Sequence, residues 1–153
     1  MIRFARSFAP ALATTLLTLA CLPALAGMNK EATESVESYF DFVDYGSGTL
    51  MAEQIPAEDY ARLYVLDVRD GGQYAKEHIP GALNIEWRRV FAERAKLPKD
   101  RTILVYCNTG SFSGQVAMAL RMDGFENVRI LHGGFGEWKA RGGLEAARKG
   151  AAR

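Results

Sequence analysis

Short apolar segments, each followed by a turn and a helical pattern, constrain the fold of this chain more than any other feature. Three of them stand out, at residues 63–68 (LYVLDV), 102–106 (TILVY) and 128–131 (VRIL). Segments this short and apolar are typical of strands buried on both faces, and their alternation with helices is typical of a parallel sheet. The sequence therefore predicts an α/β fold with a central parallel sheet flanked by helices on both faces.

The segments between the strands carry the other predicted elements. Apolar spacing predicts helices at residues 31–45, 73–78, 87–95, 113–122 and 135–140, and a further short strand at 82–85. Residues 50–55 fit either a strand or the start of a helix, and residues 56–62 fit one helical turn. Gly124 is a natural C-terminal cap for the helix that ends near Met122.

The first 26 residues have the organisation of a secretory signal peptide. Two arginines precede an apolar stretch at 8–26, which contains prolines and ends in the small-x-small sequence ALA. A retained membrane anchor and a lipoprotein attached through Cys21 are the alternatives. The stretch is short and proline-broken for a spanning helix, and the residues before Cys21 poorly match a lipoprotein signal. We therefore expect cleavage before Gly27 and a periplasmic or secreted protein.

Signal removal sets the charge and the size of the mature chain. The full chain has 19 basic and 18 acidic residues, and loss of the two signal-peptide arginines leaves 17 against 18, a net charge of −1. This balance argues against nucleic acid or a membrane surface as a partner. The remaining length is that of one domain. We expect a helical extension at 27–48, a single domain at 49–142 and a flexible tail at 143–153.

Cys107 is the strongest candidate for a chemically reactive residue in this sequence. It ends an apolar strand, and a polar, glycine-containing segment (108–112) separates it from the helix predicted to begin at Ser113. Loop N–H groups and a helix N-terminus favour the thiolate, which is the nucleophilic form. Cys107 is the only cysteine after signal removal, so it has no internal disulfide partner. A buried, inert cysteine is the alternative. With His78 and His132 it makes no zinc-ligand spacing, and we expect no metal or cofactor.

Four segments occur in a characteristic order along the chain. They are LDVR at 66–69, YAKEHIPGALNI at 74–85, VYCNTGSFSG at 105–114, and GGF at 133–135 followed by Trp138. Together they resemble the rhodanese (thiosulfate sulfurtransferase) family, in particular an exported single-domain member. The resemblance implies a single rhodanese-like domain in which Cys107 takes a sulfane sulfur from a small donor, thiosulfate or an organic persulfide. It would then pass this sulfur to a thiol, to cyanide or to a protein acceptor.

The loop that follows Cys107 is expected to bind the donor. Its candidate substrate-binding residues are Asn108, Thr109, Gly110, Ser111, Phe112 and Ser113. Their main-chain amides can stabilise both the thiolate and the anion that leaves. Gly110 is expected to let the backbone curl around the sulfur. Ser113 is expected to cap the following helix, and the alternative is that it joins Thr109 and Ser111 as a hydroxyl donor to the site.

Residues from two other strand ends are candidates for the same pocket, because sites in parallel sheets gather at the carboxyl ends of strands. Asp67 and Arg69 are expected to hold loops by ion pairing, with direct substrate contact as the alternative. Trp87 and Arg88 either border the pocket and supply positive charge there or belong to a solvated helix face.

The last loop position distinguishes related chemistries. Phosphatases and arsenate reductases of this general shape need an arginine six places after the cysteine, and this chain has Ser113 there. Many rhodaneses carry Arg or Lys at the position occupied by Phe112, where a cation attracts thiosulfate. The absence of this cation favours an apolar mouth to the pocket, which would suit an organic persulfide, a polysulfide or a protein donor. Alternatively, the loop amides suffice and Phe112 merely packs.

Two other functions compete with sulfur transfer. One is a non-catalytic rhodanese-like binding module, which the presence of Cys107 disfavours. The other is a single-thiol redox protein, which would lack a second cysteine to resolve a mixed disulfide.

Overall fold

The structure is a computed structural model, and it describes residues 27–43, 46 and 48–144. The predicted signal peptide and residues 145–153 of the predicted tail lie outside the described residues. The strands are β1 (Thr49–Leu50), β2 (Tyr64–Asp67), β3 (Leu83–Asn84), β4 (Ile103–Tyr106) and β5 (Val128–Leu131). The helices are α1 (Lys30–Phe42), α2 (Gly71–Lys76), α3 (Trp87–Glu93), α4 (Ser111–Met122) and α5 (Gly134–Ala140).

These strands form one parallel sheet in the order β1-β5-β4-β2-β3. Strand β4 is central, and it pairs with β2 from Tyr64↔Ile103 to Asp67↔Tyr106. All four residues of β4 are buried, as its uninterrupted apolar sequence predicts for a strand covered on both faces. The predicted parallel α/β architecture is confirmed.

Alternate residues of β4 pack into two separate cores, one on each face of the sheet. Leu104 and Tyr106 join a cluster that includes Phe135 and Trp138 of α5. The other cluster lies on the opposite face, where residues of β4 pack against α3 and α4. Its members include Ile103, Val105, Cys107, Val90, Val116 and Leu120. Full burial of each large apolar side chain contributes about 1.5–3 kcal/mol. The alternation places Cys107 on the face that α4 covers.

The predicted elements are present, but several of their boundaries differ. Helix α2 spans Gly71–Lys76 where residues 73–78 were predicted, and α3 ends at Glu93 where the prediction extended to residue 95. Residues 50–55 resolve into the end of β1 and a 3₁₀ turn at Ala52–Gln54. Helix α1 ends at Phe42, earlier than predicted, where the next residue becomes extended. Helix α4 begins at Ser111, two residues earlier than predicted. Gly124 has φ +83° and follows α4, which confirms it as the terminating glycine.

Helix α1 lies outside both cores. It buries no side chain, and one of its links to the domain is a hydrogen bond of 3.3 Å from Arg121 Nη1 to the Tyr39 hydroxyl. None of the helices in the described ranges is both long and apolar enough to cross a membrane. The predicted N-terminal extension is thus helical but packs loosely.

Candidate active site

Cys107 directly follows the central strand, and its thiol lies at the base of the loop that leads into α4. The residue is only 2% exposed. Its Sγ accepts a hydrogen bond of 3.2 Å from the Gly110 N–H, and Ser113 Oγ lies 3.7 Å away. The loop therefore wraps around the sulfur, as predicted from the sequence.

The loop changes the acidity of this thiol. Burial raises the pKa of Cys107, because a charged group loses hydration in the interior. Hydrogen bonds to Sγ, chiefly from the backbone N–H groups of Ser113, Thr109 and Gly110, oppose this effect and outweigh it. The resulting pKa lies below the ordinary value for cysteine. The thiolate is thus stabilised by main-chain dipoles, without a neighbouring cationic side chain in the loop.

Gly110 makes this curvature possible. Its φ of +106° is strained for other residues, and the open space around it shows that backbone conformation, not side-chain room, requires glycine there. Gly110 also precedes α4 as its N-terminal boundary residue. The prediction that Ser113 caps the helix is therefore wrong, because α4 already begins at Ser111. Instead, the buried Ser113 hydroxyl donates to the Gly110 carbonyl at 3.0 Å and faces the thiol.

The beginning of α5 holds the other side of the loop, a role that the sequence analysis missed. The Phe135 N–H donates to the Cys107 carbonyl at 2.8 Å, and the Gly136 N–H donates to the Asn108 carbonyl at 3.1 Å. With these carbonyls bound on the α5 side, the loop presents N–H groups to the sulfur. Gly134 permits this approach, because a Cβ there would lie 2.4 Å from the Cys107 carbonyl oxygen. The paired glycines at 133–134, where the helix begins, were the available signal.

Asp67 and Arg69 form a buried ion pair behind the loop. Arg69 Nε lies 3.0 Å from Asp67 Oδ1, and Arg69 Nη2 also donates to the Glu77 carbonyl at 2.8 Å. The guanidinium lies over the Phe135 ring, 4.2 Å from its centroid. Both members of the pair are buried. The structure thus supports the expected loop-holding role and leaves this pair out of the exposed mouth.

Phe112 and Trp87 meet at the surface beside the loop. Their rings stack with centroids 4.8 Å apart and an interplanar angle of 11°. Trp87 packs against the core cluster that contains Cys107, whereas Phe112 is 45% exposed. Arg88 is exposed and its Nε lies 2.9 Å from Glu86 Oε1, so its charge is already paired. The structure brings Trp87 to the loop and gives Arg88 a carboxylate partner on the helix surface.

The remaining loop residues are polar and accessible. Asn108, Thr109 and Ser111 are exposed, and the hydroxyls of Thr109 and Ser111 lie 3.4 Å apart. Within the described ranges, no three His, Cys, Asp or Glu side chains are grouped as metal ligands would be. Nucleophilic chemistry at sulfur is what this arrangement supports.

Known proteins are similar to this chain in sequence and in fold. The rhodanese-like domain family matches residues 49–141. Thiosulfate sulfurtransferase GlpE of Coxiella burnetii is 40% identical over 78 residues, covering 51% of this chain and 73% of that protein. A sulfurtransferase of Allochromatium vinosum is 33% identical over 86 residues, covering 56% of this chain and 79% of that protein.

A solved structure agrees with these relatives. The solution structure of a rhodanese-like domain from an Anabaena protein has a TM-score of 0.56 and 32% identity to this chain. The match covers 62% of this chain and 75% of the Anabaena chain. Since the family match includes the whole sheet and the Cys107 loop, the chain belongs to the rhodanese-like domain family.

Proposed function

We propose that this protein is a sulfurtransferase that carries a sulfane sulfur as a persulfide on Cys107. The rhodanese-like domain and the sulfurtransferase names of its relatives support sulfurtransferase activity in general. The observation that supports the persulfide mechanism is the N–H-lined loop, which lowers the pKa of Cys107 despite burial. A thiolate is the form that attacks sulfur.

In the first step, the Cys107 thiolate attacks the terminal sulfane sulfur of the donor. A new S–S bond forms as the bond between that sulfur and its carrier breaks, and the carrier leaves with the electron pair. Thiosulfate would leave sulfite, and an organic persulfide would leave its thiolate. The persulfide anion on Cys107 would accept hydrogen bonds from the loop N–H groups that held the thiolate.

In the second step, a nucleophilic acceptor attacks the outer sulfur of the Cys107 persulfide. The bond to Sγ breaks, the thiolate returns with the electron pair, and the acceptor leaves as a persulfide or, for cyanide, as thiocyanate. The cycle transfers one sulfur atom with no net oxidation of the protein. It therefore needs no cofactor, and a thiol, cyanide or a protein thiol can serve as acceptor.

Intact-protein mass after incubation with a sulfane donor tests this proposal. We expect a gain of about 32 Da, one sulfur atom, that is absent in Cys107→Ser and lost when a thiol acceptor is added. Urea unfolding of both proteins controls for folding. The absence of the adduct with every donor tried would contradict the proposal.

A non-catalytic binding module is the second candidate, favoured by the small exposed fraction of Cys107. It predicts no adduct from any donor. A single-thiol redox protein predicts a mixed disulfide with small thiols as the sole product. The same mass measurement distinguishes all three.

We also propose that the protein acts outside the cytoplasm, since residues 1–26 have the order of a signal peptide. The expected partners are a small sulfane donor and a thiol acceptor. The mass of the exported protein tests this proposal, and we expect an N-terminus at Gly27. A protein that retains residues 1–26 and stays in the cytoplasm would refute it.

A further inference from the structure

We propose that Phe112 and Trp87 form an aromatic platform that selects donors with an apolar organic group over inorganic thiosulfate. This inference rests on the proposed sulfurtransferase function and extends it to the class of donor. It concerns the group that carries the sulfane sulfur, which must lie at the mouth of the loop when the sulfur reaches Cys107.

The position of the platform is the first argument. Phe112 is the second residue of α4, and it follows directly on the loop that binds Sγ. Its ring projects from the domain surface. The orientation of the ring is nevertheless fixed, because it stacks on Trp87 with the two ring centroids 4.8 Å apart. Trp87 is itself held by the core cluster that includes Cys107. A large apolar side chain that is fixed and 45% exposed offers a contact surface to an incoming apolar group.

Charge is the second argument. Residues 107–113 contain no charged side chain. The arginines of the adjacent helix surface each have a carboxylate neighbour, since Arg88 contacts Glu86 at 2.9 Å and Arg89 contacts Glu93 at 2.6 Å. The Arg88 guanidinium also lies 5.8 Å from the centroid of the Trp87 ring. The buried Arg69 is paired with Asp67. A dianion therefore meets N–H groups and, among the residues that the structure describes here, only guanidinium groups that already have a carboxylate partner. An organic carrier instead gains contact with the exposed ring of Phe112.

Three donors separate the two contributions. Thiosulfate is a dianion without an organic group, methanethiosulfonate is a monoanion with a methyl group, and benzenethiosulfonate is a monoanion with a ring. Each transfers its terminal sulfur to the thiolate in the same way: the new S–S bond forms, and sulfite or the sulfinate leaves with the electron pair. The benzene-to-methane ratio of kcat/KM reports ring contact, and the methane-to-thiosulfate ratio reports charge.

Three variants complete the experiment: Phe112→Leu, Trp87→Leu and Phe112→Arg. Phe112→Leu keeps an apolar side chain but removes the ring, so we expect the benzene-to-methane ratio to fall roughly 3- to 10-fold. Trp87→Leu removes the support for that ring and is expected to lower the same ratio. Phe112→Arg adds a cation and is expected to raise kcat/KM for thiosulfate roughly 10- to 100-fold. Urea unfolding and the Cys107 persulfide mass confirm that each variant folds and loads sulfur.

The outcomes separate this inference from the function on which it rests. Loading by all donors, with ratios unchanged in Phe112→Leu and Trp87→Leu, overturns the platform while sulfur transfer stands. A native preference for thiosulfate over both thiosulfonates also overturns it. Failure of every donor to load Cys107 refutes the proposed function itself. If Trp87→Leu does not fold, the Phe112 variants decide the question.

Discussion

Gly134→Ala tests whether the start of α5 positions the Cys107 loop. Gly134 has φ +61°, so alanine there costs about 1–2 kcal/mol in backbone strain. Its Cβ would also lie 2.4 Å from the Cys107 carbonyl oxygen and 2.7 Å from the Asn108 carbonyl carbon. Both are backbone atoms, so relief requires the loop and the helix to move apart. Overpacking of this kind costs about a further 1–3 kcal/mol.

Gly124→Ala is the matched control. Gly124 has φ +83°, but a Cβ there meets nothing within 4 Å. It therefore carries the backbone strain without the collision. We expect Gly134→Ala to lower the free energy of unfolding by about 2–5 kcal/mol and Gly124→Ala by about 1–2 kcal/mol. Urea unfolding followed by tryptophan fluorescence measures both.

The rate of Cys107 alkylation by iodoacetamide gives a second readout. Displacement of the loop that weakens one N–H···S⁻ hydrogen bond by about 1 kcal/mol slows alkylation roughly 5-fold below the pKa of the thiol. Gly124 lies at the far end of α4, so its variant is expected to react at the native rate. Equal stability losses and equal alkylation rates in the two variants would refute the role assigned to α5.

Three further predictions follow from the same structure. Because the pKa of folded Cys107 is lowered, its contribution to stability is fully present above the ordinary thiol pKa and is lost as pH falls through the folded value. The unfolding free energy of the native protein minus that of Cys107→Ser should therefore rise with pH across this window in urea titrations, and a flat difference would contradict the lowered pKa. Asp67→Asn leaves the buried Arg69 without its ionic partner and should cost about 3–5 kcal/mol, against less than about 1 kcal/mol for Glu86→Gln at the exposed Arg88 pair. Equal losses, measured by urea unfolding, would show that burial does not decide the cost. Tyr106→Phe removes the hydroxyl that accepts the Ile79 N–H at 3.1 Å and should cost about 1–3 kcal/mol by the same measurement; an unchanged midpoint would show that water replaces it.

Local sequence patterns were enough to predict the sheet and the position of Cys107 in a loop between a strand and a helix. Strand β4 is apolar at every position, which only burial on both faces explains. Cys107 could be assigned to a loop because its strand ends at a polar, glycine-containing segment. Both predictions depend on short stretches of neighbouring residues.

Contacts between distant segments could not be predicted in this way. The start of α4 was placed two residues late, because a helix boundary set by one glycine at positive φ leaves little trace in apolar spacing. The stack of Phe112 on Trp87 joins residues from different helices, and the hydrogen bonds from Phe135 and Gly136 join the loop to α5. Such contacts depend on the order of the strands in the sheet, and no local sequence pattern specifies that order.

Main-chain N–H groups stabilise the negative charge of the Cys107 thiolate, and this determines how its ionisation responds to ionic strength. Dissolved ions weaken attraction between exposed charges over about 8–10 Å at physiological concentrations, but they do not enter a contact of 3.2 Å between the Gly110 N–H and a buried sulfur. The ionisation of this thiol should consequently change little between dilute buffer and concentrated salt. Changes in the surrounding salt concentration would therefore leave its intrinsic nucleophilicity nearly constant.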